Sequence, residues 1–222
     1  MSRRQIDLDE LREGNRRWLG PHGLLDRPWF ILASGPDPTI PRDIAERALL
    51  VCINNAPATA ARMGLGSPRL TFRNPNKEWK SVAGCKLPLI LWLSNKRSPE
   101  VIWLKLFTAR GIAGEIRTMR KSTRDVLNRH FLGSALGNVG QMHKPSTALF
   151  AVFYGLFVGA PEIILGGVTL EKDGYSYTTA LPGIHKHRDE DFAAMQLIAA
   201  RYRTVSTSEA EVAKATHLPL YR

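Results

Sequence analysis

The stretch from Lys144 to Tyr177, KPSTALFAVFYGLFVGAPEIILGGVTLEKDGYSY, constrains the fold more than any other part of the chain. A polar cluster, Pro145-Ser146-Thr147, precedes an apolar run from Ala148 to Val158, long enough for three turns of buried helix. Gly159 and Pro161 then supply helix-stop punctuation. Glu162 to Gly167 reads as a short strand running into a glycine turn. The unit is therefore polar loop, helix, strand, glycine loop. In a parallel α/β sheet, anionic ligands sit where strands end and helices begin. Ser146, Thr147 and the first amides of that helix can hold a phosphate or a carboxylate; they also suit a plain N-cap on a core helix. The apolar run to Val168 is interrupted by Pro161 and Glu162, so helix-then-strand explains it better than a membrane span.

The rest of the chain repeats the alternation. Ile6 to Trp18 predicts an amphipathic helix. Strands are expected at Trp29–Ala33, Ala48–Ile53, Arg69–Arg73 and Leu87–Leu93, with short helices at Arg42–Arg47 and Ala58–Met63. Strand after strand ends in a polar break: Ser34-Gly35, Asn54-Asn55, Asn74-Pro75, Gly166-Gly167. Strands alternating with helices predict a parallel sheet with all strand C-termini on one edge. That edge would collect Ser34, Asn54 and Asn74 beside Ser146 and Thr147. Asparagine carboxamides donate and accept, which suits a ribose and a base edge. Asparagine also serves turns for its own sake. After the second histidine of Ile184-His185-Lys186-His187, Phe192 to Tyr202 predicts a helix, Thr204-Val205 a last strand, and Ser206-Thr207-Ser208 the cap of a final helix with Glu209 and Glu211 in its first turn.

The 222 residues allow one domain, 1–222. Cys52 and Cys85 form no ligand pattern and read as free thiols of a reducing compartment. The first residues mix charges with no apolar core, so no signal peptide is expected and a cytoplasmic location follows, with the inner membrane face as a peripheral option. A net charge of +11 calls for an anionic partner: nucleic acid, an acidic small substrate or an anionic membrane face. The charge gathers in residues 94–144, where Lys96, Arg97, Lys105, Arg110, Arg117, Arg120, Lys121, Arg124, Arg129 and Lys144 face only Glu100, Glu115 and Asp125. Interleaved apolar residues suggest short amphipathic helices forming a basic lid.

His185 and His187 flank Lys186 ahead of Asp189-Glu190-Asp191. A His-x-His pair with Asp189 or Asp191 would bind zinc, but lacks a third defined ligand. A surface histidine without a role is common. A general base is the third reading, since imidazole titrates near neutral pH.

The order of these signals resembles the CMP-dependent sialyltransferases. The Phe72-x-Asn74-Pro75 segment and the spacing from Gly167 to Tyr177 resemble the bacterial glycosyltransferase family 42. Asn54-Asn55-Ala56-Pro57, Pro145-Ser146-Thr147 and His185-x4-Glu190 resemble the animal-type family 29. The likeness runs from about Phe30 to the C-terminus. It implies a Rossmann-like, GT-A-like parallel sheet and a CMP-sugar donor carrying sialic acid or a related ulosonic acid of the Kdo type. Transfer would be inverting, free of cofactor and metal, to a hydroxyl of a glycan or glycolipid in bacterial surface glycan biosynthesis. On the family pattern Asn54 and Asn74 hold the cytidine nucleotide, and Ser34, Gly35 and Thr147 lie on the nucleotide loops. Lys144, Ser146 and Gly167 join them. Tyr177 steadies the departing phosphate and His185 is the general base, with His187, two residues on, the rival base. The chain departs from the families at Ser34, where they usually have asparagine. It departs again at Glu171, where the bacterial family has a second phosphate tyrosine and Tyr175 is the substitute here.

The metal-dependent transferases place Asp-x-Asp at a strand end. Here Asp7-Leu8-Asp9 precedes the first strand and Asp189-Glu190-Asp191 opens a helix, which favours metal-independent transfer. A CMP-sugar of this class carries a phosphate and a carboxylate, and a basic lid over an asparagine-rich edge matches that charge. The rival class is a nucleic-acid or anionic-surface binding module, for which Trp103, Phe107 and Phe131 among Arg and Lys fit the composition. It leaves the Asn, Tyr and His positions unexplained, so no nucleic-acid partner is expected. Homo-oligomerisation is open.

Overall fold

The computed structural model describes residues 6–93, 113–178 and 186–222. It is an α/β fold built on a seven-stranded, wholly parallel sheet. In chain order the strands are β1 Trp29–Leu32, β2 Leu49–Ile53, β3 Leu70–Arg73, β4 Leu87–Trp92, β5 Ala113–Thr118, β6 Ile163–Gly166 and β7 Val205–Thr207. The helices are α1 Leu8–Leu19, α2 Ile44–Arg47, α3 Ala56–Arg62, α4 Lys121–Leu132, α5 Thr147–Val158, α6 Arg188–Arg201 and α7 Ala210–Thr216.

The sheet order is β5-β4-β3-β2-β1-β6-β7. The chain builds outward from β1 to β5, then returns to lay β6 on the other side of β1. β1 and β6 are therefore the neighbouring strands at which the winding reverses, and the region beyond their C-termini is where such sheets bind ligands. The central strands are buried at every position, as expected of a parallel sheet covered on both faces. Trp29, Ile31, Val51 and Phe72 pack on one face with α1, α4, α5 and α6. Phe30, Leu32, Leu50 and Cys52 pack on the other around Ile44, Ala56 and Ala60 of α2 and α3.

α5 is buried almost all round, the property of a core helix rather than a surface one. Gly155 lets it approach β1: a Cβ there would stand 3.2 Å from the Trp29 ring. Its Tyr154 hydroxyl donates to Asn15 Oδ1 of α1 at 2.9 Å, satisfying both groups in the core. Arg12 Nε donates to the Phe157 carbonyl at 3.1 Å, so a cation of α1 meets the carbonyl end of α5. Gly159, at φ 83°, ends the helix as expected.

The structure corrects one part of the reading of residues 94–144 as short amphipathic helices and keeps another, the helix α4. Residues 113–118 are not helical but form β5, paired with β4 at the sheet edge. α4 buries Leu127, Phe131 and Leu132 in the main core, with Phe131 stacked on Phe153 at 5.2 Å. This part is sheet and core; residues 94–112 lie outside the described residues. The final helix also starts differently. Ser206 and Thr207 belong to β7, and Glu209 takes the N-cap position. Cys52 and Cys85 are both free thiols. Among the described residues no helix is long and apolar enough to cross a membrane.

Candidate functional site

The C-terminal edge of the sheet opens into a cavity of about 800 Å³. At its floor the β1 and β6 ends are drawn together. Ala33 N donates to Gly166 O at 2.8 Å and Gly35 N to Gly167 O at 2.7 Å. A Cβ on Gly35 would stand only 2.5 Å from the Gly167 carbonyl, so glycine is required there. Gly167 adopts φ 68°, open to glycine at little cost. Its amide does not face a ligand. It donates to Glu209 Oε1 at 2.7 Å, and Thr39 N donates to the same oxygen at 3.0 Å. Ser34 Oγ donates to Ile53 O at 3.1 Å, tying the β1 loop to the end of β2.

The two asparagines then interlock. Asn54 takes a left-handed turn at φ 55°, a conformation asparagine tolerates. Its Oδ1 accepts the Asn74 amide at 3.0 Å. Asn74 Nδ2 reaches Thr147 Oγ1 at 2.7 Å, joining β3 to the first residue of α5. Among the described residues Asn54 Nδ2 and Asn74 Oδ1 have no hydrogen-bond partner.

Ser146 caps α5, its hydroxyl 3.5 Å from Leu149 N. Its own amide donates to Asp191 Oδ1 at 2.7 Å. The Thr147 and Ala148 amides at the helix start have no acceptor among the described residues, the usual state of first-turn donors. The loop before them is held by α6. Glu190 Oε1 accepts Met142 N at 2.6 Å and His143 N at 3.0 Å. His187 Nδ1 lies 3.0 Å from Lys144 O. Glu190, in the first turn of α6, thus holds this loop. His187 and Asp191 both line the cavity and are each tied to that same loop.

The far wall is cationic and aromatic. Tyr175 and Tyr177 stack with centroids 5.2 Å apart. Tyr175 lines the cavity; Tyr177 is absent from its lining and hydrogen-bonds Asn55. Burial raises the Tyr177 hydroxyl above its ordinary pKa, with Tyr175 adding to it. Behind them Arg73 is fully buried. Its Nη1 donates to Asn54 O at 2.8 Å and Asn55 Oδ1 at 3.1 Å, and its Nη2 to Glu78 O at 2.8 Å. The guanidinium lies 4.1 Å from the centre of the Trp79 ring, which stacks on Trp92. Burial brings the Arg73 pKa down to about 10. Lys77, Lys121, Arg124, Lys144, Lys172 and Lys186 line the cavity against Asp125 and Asp191.

Of the residues singled out in the sequence, Ser34, Gly35, Asn54, Asn74, Lys144, Ser146, Thr147, Gly167 and Tyr175 all line this one cavity. Tyr177 lies one layer behind, and His185 lies outside the described residues. The sequence reading missed Arg73 and Lys77. The signal was present in Arg73, a charge at the end of an otherwise apolar strand. It also missed Glu209, which looked like helix-start chemistry.

No protein-family model matches this sequence, and a sequence search finds no match among curated proteins. Solved structures do share the fold. The sialyltransferase CstII from Campylobacter jejuni in complex with the substrate analogue CMP-3FNeuAc is 14% identical, covers 88% of this chain and 86% of that one, and has a TM-score of 0.52. The monofunctional alpha-2,3-sialyltransferase Cst-I from the same organism is 14% identical over 88% of this chain and 80% of that one, with a TM-score of 0.53. A CST-II variant in complex with CMP is 14% identical over 88% and 86%, with a TM-score of 0.54. At this identity the likeness establishes a common fold.

Proposed function

We propose that the protein is a sialyltransferase-like glycosyltransferase that moves a sialic or related ulosonic acid from a CMP-sugar to a hydroxyl of a glycan or glycolipid. The observation that carries this reading is the gathering of Ser34, Asn54, Asn74 and Ser146-Thr147 from four separate elements into one cavity at the winding reversal. The shared fold and the motifs resembling families 42 and 29 support it.

In this reading the asparagine carboxamides take the cytidine and ribose, and the free amides of Thr147 and Ala148 take an anionic oxygen. The donor's anomeric carbon is tertiary and bears a carboxylate, so the bond to CMP breaks through a cation-like state. The acceptor hydroxyl, with a pKa far above neutral, must lose its proton as the new bond forms. His185 takes that proton, the acceptor attacks the face opposite CMP, and configuration inverts. Tyr175 stands by the phosphate that gains charge, with Tyr177 stacked on it and steadying that phosphate only if its hydroxyl turns into the cavity on binding. Charge on the leaving group is met by protein donors, so transfer proceeds without a metal and persists in chelator.

The test is transfer from CMP-N-acetylneuraminic acid to lactose or sialyllactose, with CMP binding followed by calorimetry. His185→Ala should keep CMP affinity and lose about 10²- to 10⁴-fold in rate, the usual worth of a general base. A larger loss in His187→Ala would move the base to His187. Salt-steep oligonucleotide binding without CMP binding would favour the nucleic-acid module instead.

A further inference from the structure

Arg73 and Lys77 have no role in the reading above. Pro75-Asn76 turn the chain after β3, and Lys77 N closes the turn on Asn74 O at 3.3 Å. The turn brings Lys77 back over Arg73, whose Nη2 donates to the Lys77 carbonyl at 3.2 Å. Lys77 Nζ stands 5.4 Å from the centre of the Tyr175 ring and lines the cavity. Among the described residues, no carboxylate lies within ion-pair distance of either cation. Arg73 uses backbone carbonyls and an amide oxygen, all neutral acceptors, so its charge is solvated but not cancelled. A fully buried cation without a counter-charge is costly to keep. The aromatic face of Trp79 offsets part of that cost for Arg73, and Tyr175 faces the half-buried Lys77.

We propose that Lys77, backed by Arg73, is a built anion subsite of the cavity that takes the phosphate group of the nucleotide ligand. It rests on the nucleotide reading for the identity of that ligand. Lys77 reaches the anion directly. Arg73 is a positioning residue, which fixes the Asn54-Asn55 turn and the Lys77 backbone while adding its field. Desolvation by burial, with Arg73 second, lowers the Lys77 pKa, as expected of two close cations awaiting an anion.

Calorimetry with CMP and with cytidine separates charge from shape. Lys77→Gln should weaken CMP about 10- to 100-fold, the worth of a charge-assisted hydrogen bond, and leave cytidine within about twofold. Lys77→Arg should restore most CMP affinity. Arg73→Lys should keep the charge but lose the fork that joins three backbone carbonyls and Asn55 Oδ1, and weaken both ligands. Equal weakening of CMP and cytidine in Lys77→Gln, or no weakening of either, overturns the subsite. If the wild type binds neither nucleoside nor nucleotide, the nucleotide reading fails and pyrophosphate becomes the probe. Binding of pyrophosphate that Lys77→Gln abolishes upholds the anion subsite; binding that it leaves unchanged, or no binding at all, overturns it.

Discussion

Two walls of the cavity use charge in opposite ways. On the side of α6 and of the turn before α7, where only Asp191 of the three carboxylates lines the cavity, carboxylates are spent inside the protein. Glu190 accepts two loop amides, Asp191 accepts Ser146 N, and Glu209 bridges Gly167 and Thr39. All three are buried. On the wall from β3 and the 169–178 loop, the charges that line the cavity are Lys77 and Lys172, and Lys77 and Arg73 meet no carboxylate among the described residues. One wall shapes the site and the other charges it. The comparison separates residues whose loss should unfold loops from residues whose loss should cost only ligand.

The largest expected effect tests the first wall. Glu209→Ala removes the acceptor of two backbone amides, one of them at the winding reversal. Each buried donor left unpaired costs about 1–3 kcal/mol, so a stability loss of about 3 kcal/mol should appear in urea unfolding. Glu209→Gln keeps one oxygen and should lose less. Lys77→Gln, from the other wall, should unfold like the wild type. Equal destabilisation by Glu209→Ala and Lys77→Gln would erase the distinction between the walls.

A middle-sized effect lies where the walls meet. Asn74 joins Asn54 to Thr147 and also faces the cavity. Asn74→Ala leaves Thr147 Oγ1 without its donor and removes a carboxamide from the ligand. CMP affinity should fall by about 2 kcal/mol in calorimetry, with a smaller loss of stability. Unchanged CMP affinity would take Asn74 out of the site.

The same contrast explains what could be read from the sequence. Strand periodicity and the polar breaks placed β1 to β4, β6 and the asparagine edge, because each signal is local. Gly159 ended α5 for the same reason. β5 was missed because Ala113-Gly114-Glu115-Ile116-Arg117-Thr118 carries charges at a sheet edge, where one side of the strand has no partner. There a mixed pattern reads as an amphipathic helix. The buried carboxylates were missed because their partners are backbone amides, and an amide leaves no mark in sequence. Glu209 and Thr39 lie far apart in the chain and meet only when β7 docks beside β6. Arg73 sat inside the motif used to recognise the site, yet only its burial shows that it is not a solvated surface charge.

The smallest expected effect concerns pH and sharpens the cationic wall. The CMP phosphate loses its second proton near pH 6, so affinity should rise to neutral pH as the dianion forms. Above that, Lys77 decides. Burial and Arg73 lower its pKa, so it begins to lose its charge below the ordinary lysine range. A bound phosphate favours the charged amine and raises that pKa, so affinity must decline between the free and bound values. The other titrating neighbours are accounted for. Burial raises Tyr177, which stays neutral longer, and burial raises the Cys85 thiol that lies within the field of Arg73. Arg73, at about 10, holds its charge until near the end of the range. Tyr175 stacks on Tyr177 and lies under Lys77. Calorimetry from pH 7 to pH 10 should show a fall of about fivefold in CMP affinity, with cytidine affinity flat. Lys77→Arg should move the fall to higher pH, since a guanidinium keeps its proton. A fall of the same size and midpoint in Lys77→Arg would assign the titration to another group and leave the cationic wall without its lysine.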